Sequence, residues 1–143
     1  MKRRKTRRRK QRTIGQILAR RLCAAAKDRA RRKGLLFKLT PKNERSFAAT
    51  IDAGKCPLSG LPFSFKGGIL APSLDRKVCT SPVLLDRSYT EKNTRIIAWG
   101  WNCAFNSFGE AAFMKMLVET LRTKATVWRP LQFEIVERAG RTI

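Results

Sequence analysis

Histidine is absent from the 143 residues. Its absence removes the commonest general base, the commonest catalytic metal ligand and the usual partner of a nucleophilic Ser or Cys. Acidic side chains are scarce: ten Asp and Glu stand against thirty-two Lys and Arg, a net charge of +22 with a pI near 11.4. That imbalance asks for a polyanionic partner, and work on acidic small molecules is not the first expectation. No run approaches the ~18 consecutive apolar residues that cross a bilayer, and no apolar segment follows the basic N-terminal block, so neither secretion nor a membrane partner is expected. Cysteine is sparse, at 23, 56, 79 and 103. These positions have neither the density nor the spacing of a secreted disulfide scaffold, which predicts free thiols in a reducing cytoplasm.

What is present suffices for one domain and a tail, since 43% of the chain is hydrophobic and single domains cluster around ~100–150 residues. The charge is front-loaded. Residues 1–45 carry nineteen Lys and Arg against Asp28 and Glu44, a net of +17, and leave a net of +5 for the remainder. Residues 1–13 form a basic tail: Arg3, Arg4, Arg7, Arg8 and Arg9 belong to a stretch with no apolar side chain after Met1, which cannot offset its ordering entropy and self-repulsion by burial. Such a segment binds phosphates with little regard to sequence.

A helical region spans 14–53. Ile14, Ile17, Leu18, Leu22 and Ala25 recur at three- and four-residue steps, the period of one helical face. Arg20, Arg21, Lys27, Arg29, Arg31, Arg32 and Lys33 crowd the other side, where like charges repel unless a partner neutralises them. Gly34 suits a C-cap, Leu35–Leu39 a short extended piece, and Thr40-Pro41 an N-cap followed by proline at the first position of a second helix, to about Ala53. Residues 54–124 then read as a core: a tight turn over Cys56–Phe63, loops and brief strands over 66–88, a strand and helix between Thr90 and Asn106, and a helix from Gly109 to Lys124 burying Phe113, Met114, Met116, Leu117 and Leu121. Residues 125–143 form a C-terminal extension in which 127–136 alternates weakly, as a strand or a tail covering an edge. Trp99, Trp101, Phe105 and Phe108 are expected in the core rather than under stacked bases.

Taken in order, the basic run Ala26–Thr40, the turn Gly54-Lys55-Cys56-Pro57-Leu58-Ser59-Gly60, Pro72-Ser73-Leu74-Asp75-Arg76, Ser88-Tyr89-Thr90-Glu91-Lys92-Asn93 and then Asn102 resemble the small phage-type HNH endonucleases. In that family a basic helix precedes a CxxTG-like turn, an SxDR segment, a GYT-like turn ending in Asn, and a helix with a second Asn. The likeness covers roughly residues 24–113. It implies an α+β fold with a ββα-metal core, DNA as partner, a host cell that is bacterial or phage-infected, and one Mg²⁺ or Mn²⁺ held by Asp75 and Asn102 against a scissile phosphate. Asn93 would brace the loop between the strands. A hard divalent ion accepts so few protein ligands because phosphate and water supply the rest.

The sequence departs from that pattern at three places. The residue after the acid, a His in the usual HNH site, is Arg76, which cannot accept a proton at neutral pH and would clamp phosphate. The base is then Asp86, Glu91 or a metal-bound water, or the protein no longer cuts. The link Lys77–Arg87 is longer than usual and repeats the dipeptide as Asp86-Arg87, and Ser88 stands where Gly is common; Asp75 is preferred because Pro72-Ser73-Leu74 precedes it. Finally, Cys56 has only Ser59 where zinc-pinned relatives carry a CxxC pair, so zinc is not expected. The leading expectation is a divalent-metal endonuclease or nickase on duplex DNA. The alternatives are a nuclease-fold protein that only binds DNA, or a basic RNA-binding or ribosome-associated protein.

Overall fold

The computed structural model describes residues 11–79 and 81–122. The expected arginine tail at 3–9 and the extension at 125–143 lie outside these residues. Among the described residues, four helices and a two-stranded antiparallel sheet follow in the order α1 (Ile14–Arg32), α2 (Pro41–Asp52), β1 (Pro72–Arg76), β2 (Thr94–Ala98), α3 (Trp99–Phe108) and α4 (110–122). The fold is thus α+β.

Local chemistry sets the element ends. Thr13 caps α1 reciprocally with Gln16: the Thr13 hydroxyl accepts the Gln16 backbone N–H, and the Gln16 side-chain Oε1 accepts the Thr13 N–H, both at 3.1 Å. At the other end Gly34 has φ +63° and lets Leu35 N–H return to the Ala30 carbonyl at 2.9 Å. Pro41 opens α2 behind Thr40, whose N–H donates to buried Asn43 Oδ1 at 2.8 Å.

The face that α1 buries is not the one its large apolar residues mark. Gly15, Ala19, Cys23, Ala26 and Ala30 are buried, whereas Ile14, Ile17 and Ala25 are exposed and Leu18 and Leu22 lie at the margin. The reason is the distance between α1 and α2. A Cβ on Gly15 would overlap the Ala48 carbonyl and the Asp52 carboxyl, so a row of small residues lets the two backbones approach. Asp52 closes the end of this contact, accepting from Gly15 N–H at 2.8 Å and from the Thr13 hydroxyl at 2.7 Å.

In the sheet Leu74 faces Ile96 and Asp75 faces Arg95. Ile97 and, from α2, Ile51 are fully buried, and each such side chain contributes roughly 1.5–3 kcal/mol. The Cys56 turn closes with Cys56 N–H on the Leu61 carbonyl and docks on the sheet through Ala98 N–H, which donates to Cys56 Sγ at 3.3 Å. Residues 35–39 run extended, with Phe37 bridging Tyr89. In α4, Phe113 packs on the core beside Trp101 and Phe105, and Leu117 is half-buried. Met114, Met116 and Leu121, expected inside, are exposed: among the described residues no element covers that side of the helix.

Candidate functional site

Successive residues of a strand point to opposite faces, and β1 sends its two adjacent charges to different surroundings. Arg76 enters a cleft between α1, the edge of β1 and α3. The cleft encloses about 590 Å³. From α1 it receives Leu22, Arg29 and Lys33, which fall at i, i+7 and i+11 along one line of the helix, and from α3 it receives Trp99, Asn102 and Asn106. Among the described residues no Asp or Glu lines it. Two of the cations, Arg29 and Arg76, meet at Tyr89, which is 4% exposed. Its hydroxyl accepts the Arg29 Nε–H at 3.3 Å, and Arg76 Cζ stands 5.1 Å from the centre of its ring while Arg76 Nη1 donates to the Arg87 carbonyl at 2.6 Å. A second groove, around the 77–87 loop, mixes Lys38, Lys77 and Lys92 with Asp86 and Glu91; it lacks the single sign of the first.

Asp75 faces the other way. It is 1% exposed, and its Oδ2 accepts the Arg95 Nε–H at 2.9 Å. Arg95 reaches on to Glu110 of α4 at 2.6 Å and lies over Phe105, 5.5 Å from the ring centre. Burial pushes the Asp75 carboxyl above its usual range, against the pull of Arg95. Burial also pulls Arg95 down, but Glu110 and Asp75 outweigh it and hold the guanidinium above its ordinary value.

Asn102 comes close to the backbone of Asp75 but not to its charge. Its Nδ2 donates to Ser73 Oγ at 2.6 Å and to the Leu74 carbonyl at 3.3 Å, and its Oδ1 accepts from Asn106 Nδ2 at 2.5 Å. Arg76 and Asn102 therefore share the cleft, and the Asp75 carboxylate does not line it. Asn93 sits at the mouth of the 77–87 loop. Its side chain accepts from Val78 N–H at 2.8 Å and donates to the carbonyls of Val78 at 3.0 Å and Ser88 at 2.9 Å. Ser88 is fully buried, accepting from Leu36 N–H at 3.1 Å and donating to the Leu84 carbonyl at 2.6 Å. A hydroxyl at this turn thus ties the long loop to the segment after α1.

As folded, these residues do not fit a divalent cation. One Asp75 oxygen is bound to a guanidinium, the amide oxygen of Asn102 is taken by Asn106, and a cation at Asp75 would stand beside the positive charge of Arg95. Asp75 Oδ1 is buried without a partner, as are Arg87 Nε and Thr94 Oγ1. Among the described residues no three His, Cys, Asp or Glu side chains gather around a common point. The cysteines form no disulfide among those residues; Cys23 lies in the α1–α2 contact and Cys56 beneath the sheet. Burial pushes the Cys23 thiol up to about 11, helped by Glu44. Burial also acts to raise Cys56, but hydrogen bonds from Ser59, Ala98 and Leu58 outweigh it and lower that thiol.

Of the basic residues singled out on α1, Lys33 lines the cleft, while Arg20, Arg21, Lys27, Arg31 and Arg32 are exposed elsewhere on the helix. Sequence reasoning counted Arg29 only among the crowded basic residues of the first helix, gave Tyr89 no role at the site and assigned Trp99 to the core, though it is 49% exposed. Phe108 is likewise exposed, whereas Phe105 is buried. The spacing Leu22, Arg29, Lys33 was available as a signal for one side of the cleft; the role of Tyr89 depends on a contact sixty residues away. No helix among the described residues is long and apolar enough to cross a membrane. Comparison of the chain with protein-family models, curated proteins and solved structures returns no match.

Proposed function

We propose that this chain binds nucleic acid, DNA first, by taking backbone phosphate in the cleft between α1, β1 and α3 and laying the exposed arginines of α1 along the flanking strand. One observation carries the reading: Arg29, Lys33 and Arg76 converge on a cleft that no carboxylate lines among the described residues. Cations gathered without counter-charge gain most from a polyanion, because binding relieves their mutual repulsion and releases ions condensed on the phosphates. Tyr89 supports this by fixing Arg29 and Arg76, so less side-chain freedom is lost on contact. The scaffold is that of an HNH-like ββα core in this proposal, with the antiparallel β1–β2 pair leading directly into α3.

The test is a salt titration of affinity for a labelled duplex with the full chain. Each phosphate contact removed should reduce the slope of log K against log salt by about 0.9. Arg29→Ala, Lys33→Ala and Arg76→Ala should each flatten it by roughly that amount while the far-ultraviolet spectrum is unchanged. Slopes identical to wild type in all three would refute the reading.

A second reading, a metal-dependent nuclease, is favoured by the unpartnered Asp75 Oδ1 and by the bond from Asn102 to the adjoining Leu74 carbonyl. It requires Arg95 to release Asp75. Plasmid incubated with the protein and Mg²⁺ or Mn²⁺ should stay intact on the binding reading. Nicking that disappears in Asp75→Ala and Asn102→Ala, with the gel shift retained, would put the nuclease first.

A further inference from the structure

The cleft is larger than phosphate contact demands. Its volume, about 590 Å³, falls in the ~300–1,000 Å³ range of sites that enclose whole small molecules. A duplex can offer it a backbone phosphate, but paired and stacked bases leave the rest of the recess unfilled. Its walls also differ in kind. Arg29 and Lys33 stand on the α1 side and Arg76 on the strand, whereas the α3 side presents the indole of Trp99 and the carboxamide of Asn106. Trp99 is 49% exposed and lies outside the core cluster that holds Trp101, Phe105 and Phe113. Its backbone is nevertheless anchored: Trp99 N–H donates to the Ala71 carbonyl and Gly100 N–H to that of Ile69, both at 2.8 Å. A large exposed aromatic on a fixed backbone, facing cations across a recess of nucleotide size, is the combination that binds unpaired bases: the ring stacks on the base while the cations hold its phosphate.

We infer that the cleft takes an unpaired nucleotide of a single-stranded segment, with Trp99 stacked on its base and Arg29, Lys33 and Arg76 around its phosphate. The inference rests on the nucleic-acid reading above and adds the form of the strand. Asn106 is placed to meet the edge of the stacked base, since a carboxamide offers both a donor and an acceptor.

The test uses the full chain and three labelled probes of equal phosphate number, about twelve nucleotides each, in keeping with single-strand site sizes of ~4–16: oligo-dT, oligo-rU and a hairpin duplex. Anisotropy is measured at one salt concentration. The quantity read is the ratio of single-strand to duplex affinity, in which the shared contribution of the basic tail cancels. Trp99→Ala should lower that ratio about tenfold, the scale of one lost base stack; Trp99→Phe should restore most of it, and duplex affinity should hold. A loss seen with dT, with rU or with both supports the inference and assigns the sugar. A ratio unchanged in Trp99→Ala overturns it while leaving duplex binding, and so the broader reading, intact. Failure of all three probes to bind, or binding indifferent to Arg29→Ala, Lys33→Ala and Arg76→Ala, overturns both.

Discussion

Asp75 and Arg76 are neighbours on one short strand, and their surroundings are opposite in electrostatic design. The Asp75 side is closed and balanced: a buried carboxylate, the guanidinium of Arg95 and the carboxylate of Glu110 form a chain with alternating sign. The Arg76 side is open and unbalanced, with three cations lining it and two of them, Arg29 and Arg76, resting on a tyrosine. A charge that structure has already neutralised has little left to offer a ligand, whereas one left without a counter-ion is disposed to find it outside. The acidic residue that the family resemblance offers as a metal ligand belongs to the first kind, and the arginine that breaks the family pattern belongs to the second.

The largest expected effect tests that division directly. Asp75→Ala should cost about 3 kcal/mol of stability in urea unfolding, the low end of the ~3–5 kcal/mol for removing one partner of a buried pair, because Arg95 keeps Glu110. Arg76→Ala should cost under about 1 kcal/mol, since it loses one hydrogen bond and one partly exposed cation–π contact. If the two variants unfold at the same urea concentration, the two sides are not energetically distinct. Next in size, Gly15→Ala sharpens the contrast between the closed α1–α2 side of α1 and its open cleft side. Alanine is the better helix former by about 1 kcal/mol. The added methyl nevertheless meets the Ala48 carbonyl and Asp52, and the net effect should be a loss of roughly 1–3 kcal/mol, measured as a lower Tm. Gln16→Ala, one residue along and exposed, loses only its capping bond to Thr13 and should fall well short of that.

These cases also show what could be read from sequence. The helix ends were legible because their causes are local: Thr40-Pro41 starts α2 and Gly34 ends the turn after α1 through the conformations those residues prefer. A strand and then a helix between Thr90 and Asn106 were also legible, and the structure sets their junction at Ala98. The buried face of α1 was not, because apolar periodicity weighs Ile14 and Ile17 above glycine and alanine, while the close approach of α2 selects small side chains. The site divided in the same way. Arg76 and Asn102 could be named through the family resemblance, but the capture of Asp75 by Arg95 depends on the register that sets those two residues opposite each other. The place of Tyr89 beneath Arg76 depends on the path of the whole 77–87 loop. A smaller effect probes that loop. Ser88→Ala should cost about 1 kcal/mol, leaving Leu36 N–H and the Leu84 carbonyl without the hydroxyl between them.

The smallest expected effect is a pH dependence on the closed side. Burial holds the folded-state carboxyl of Asp75 above its usual value near 3.8, so the folded state binds this proton more tightly than the unfolded chain does. The stabilisation linked to it is fully present below the ordinary aspartate value and is lost as pH rises through the raised one. Asp75→Asn keeps the shape of the side chain and removes the titration. The difference in Tm between wild type and Asp75→Asn should therefore favour wild type most at the acid end and shift toward the variant as pH rises. A shift in the opposite direction would mean that Arg95 outweighs burial and that Asp75 is ionised at little cost. The release of Asp75 that the nuclease reading requires would then be harder still.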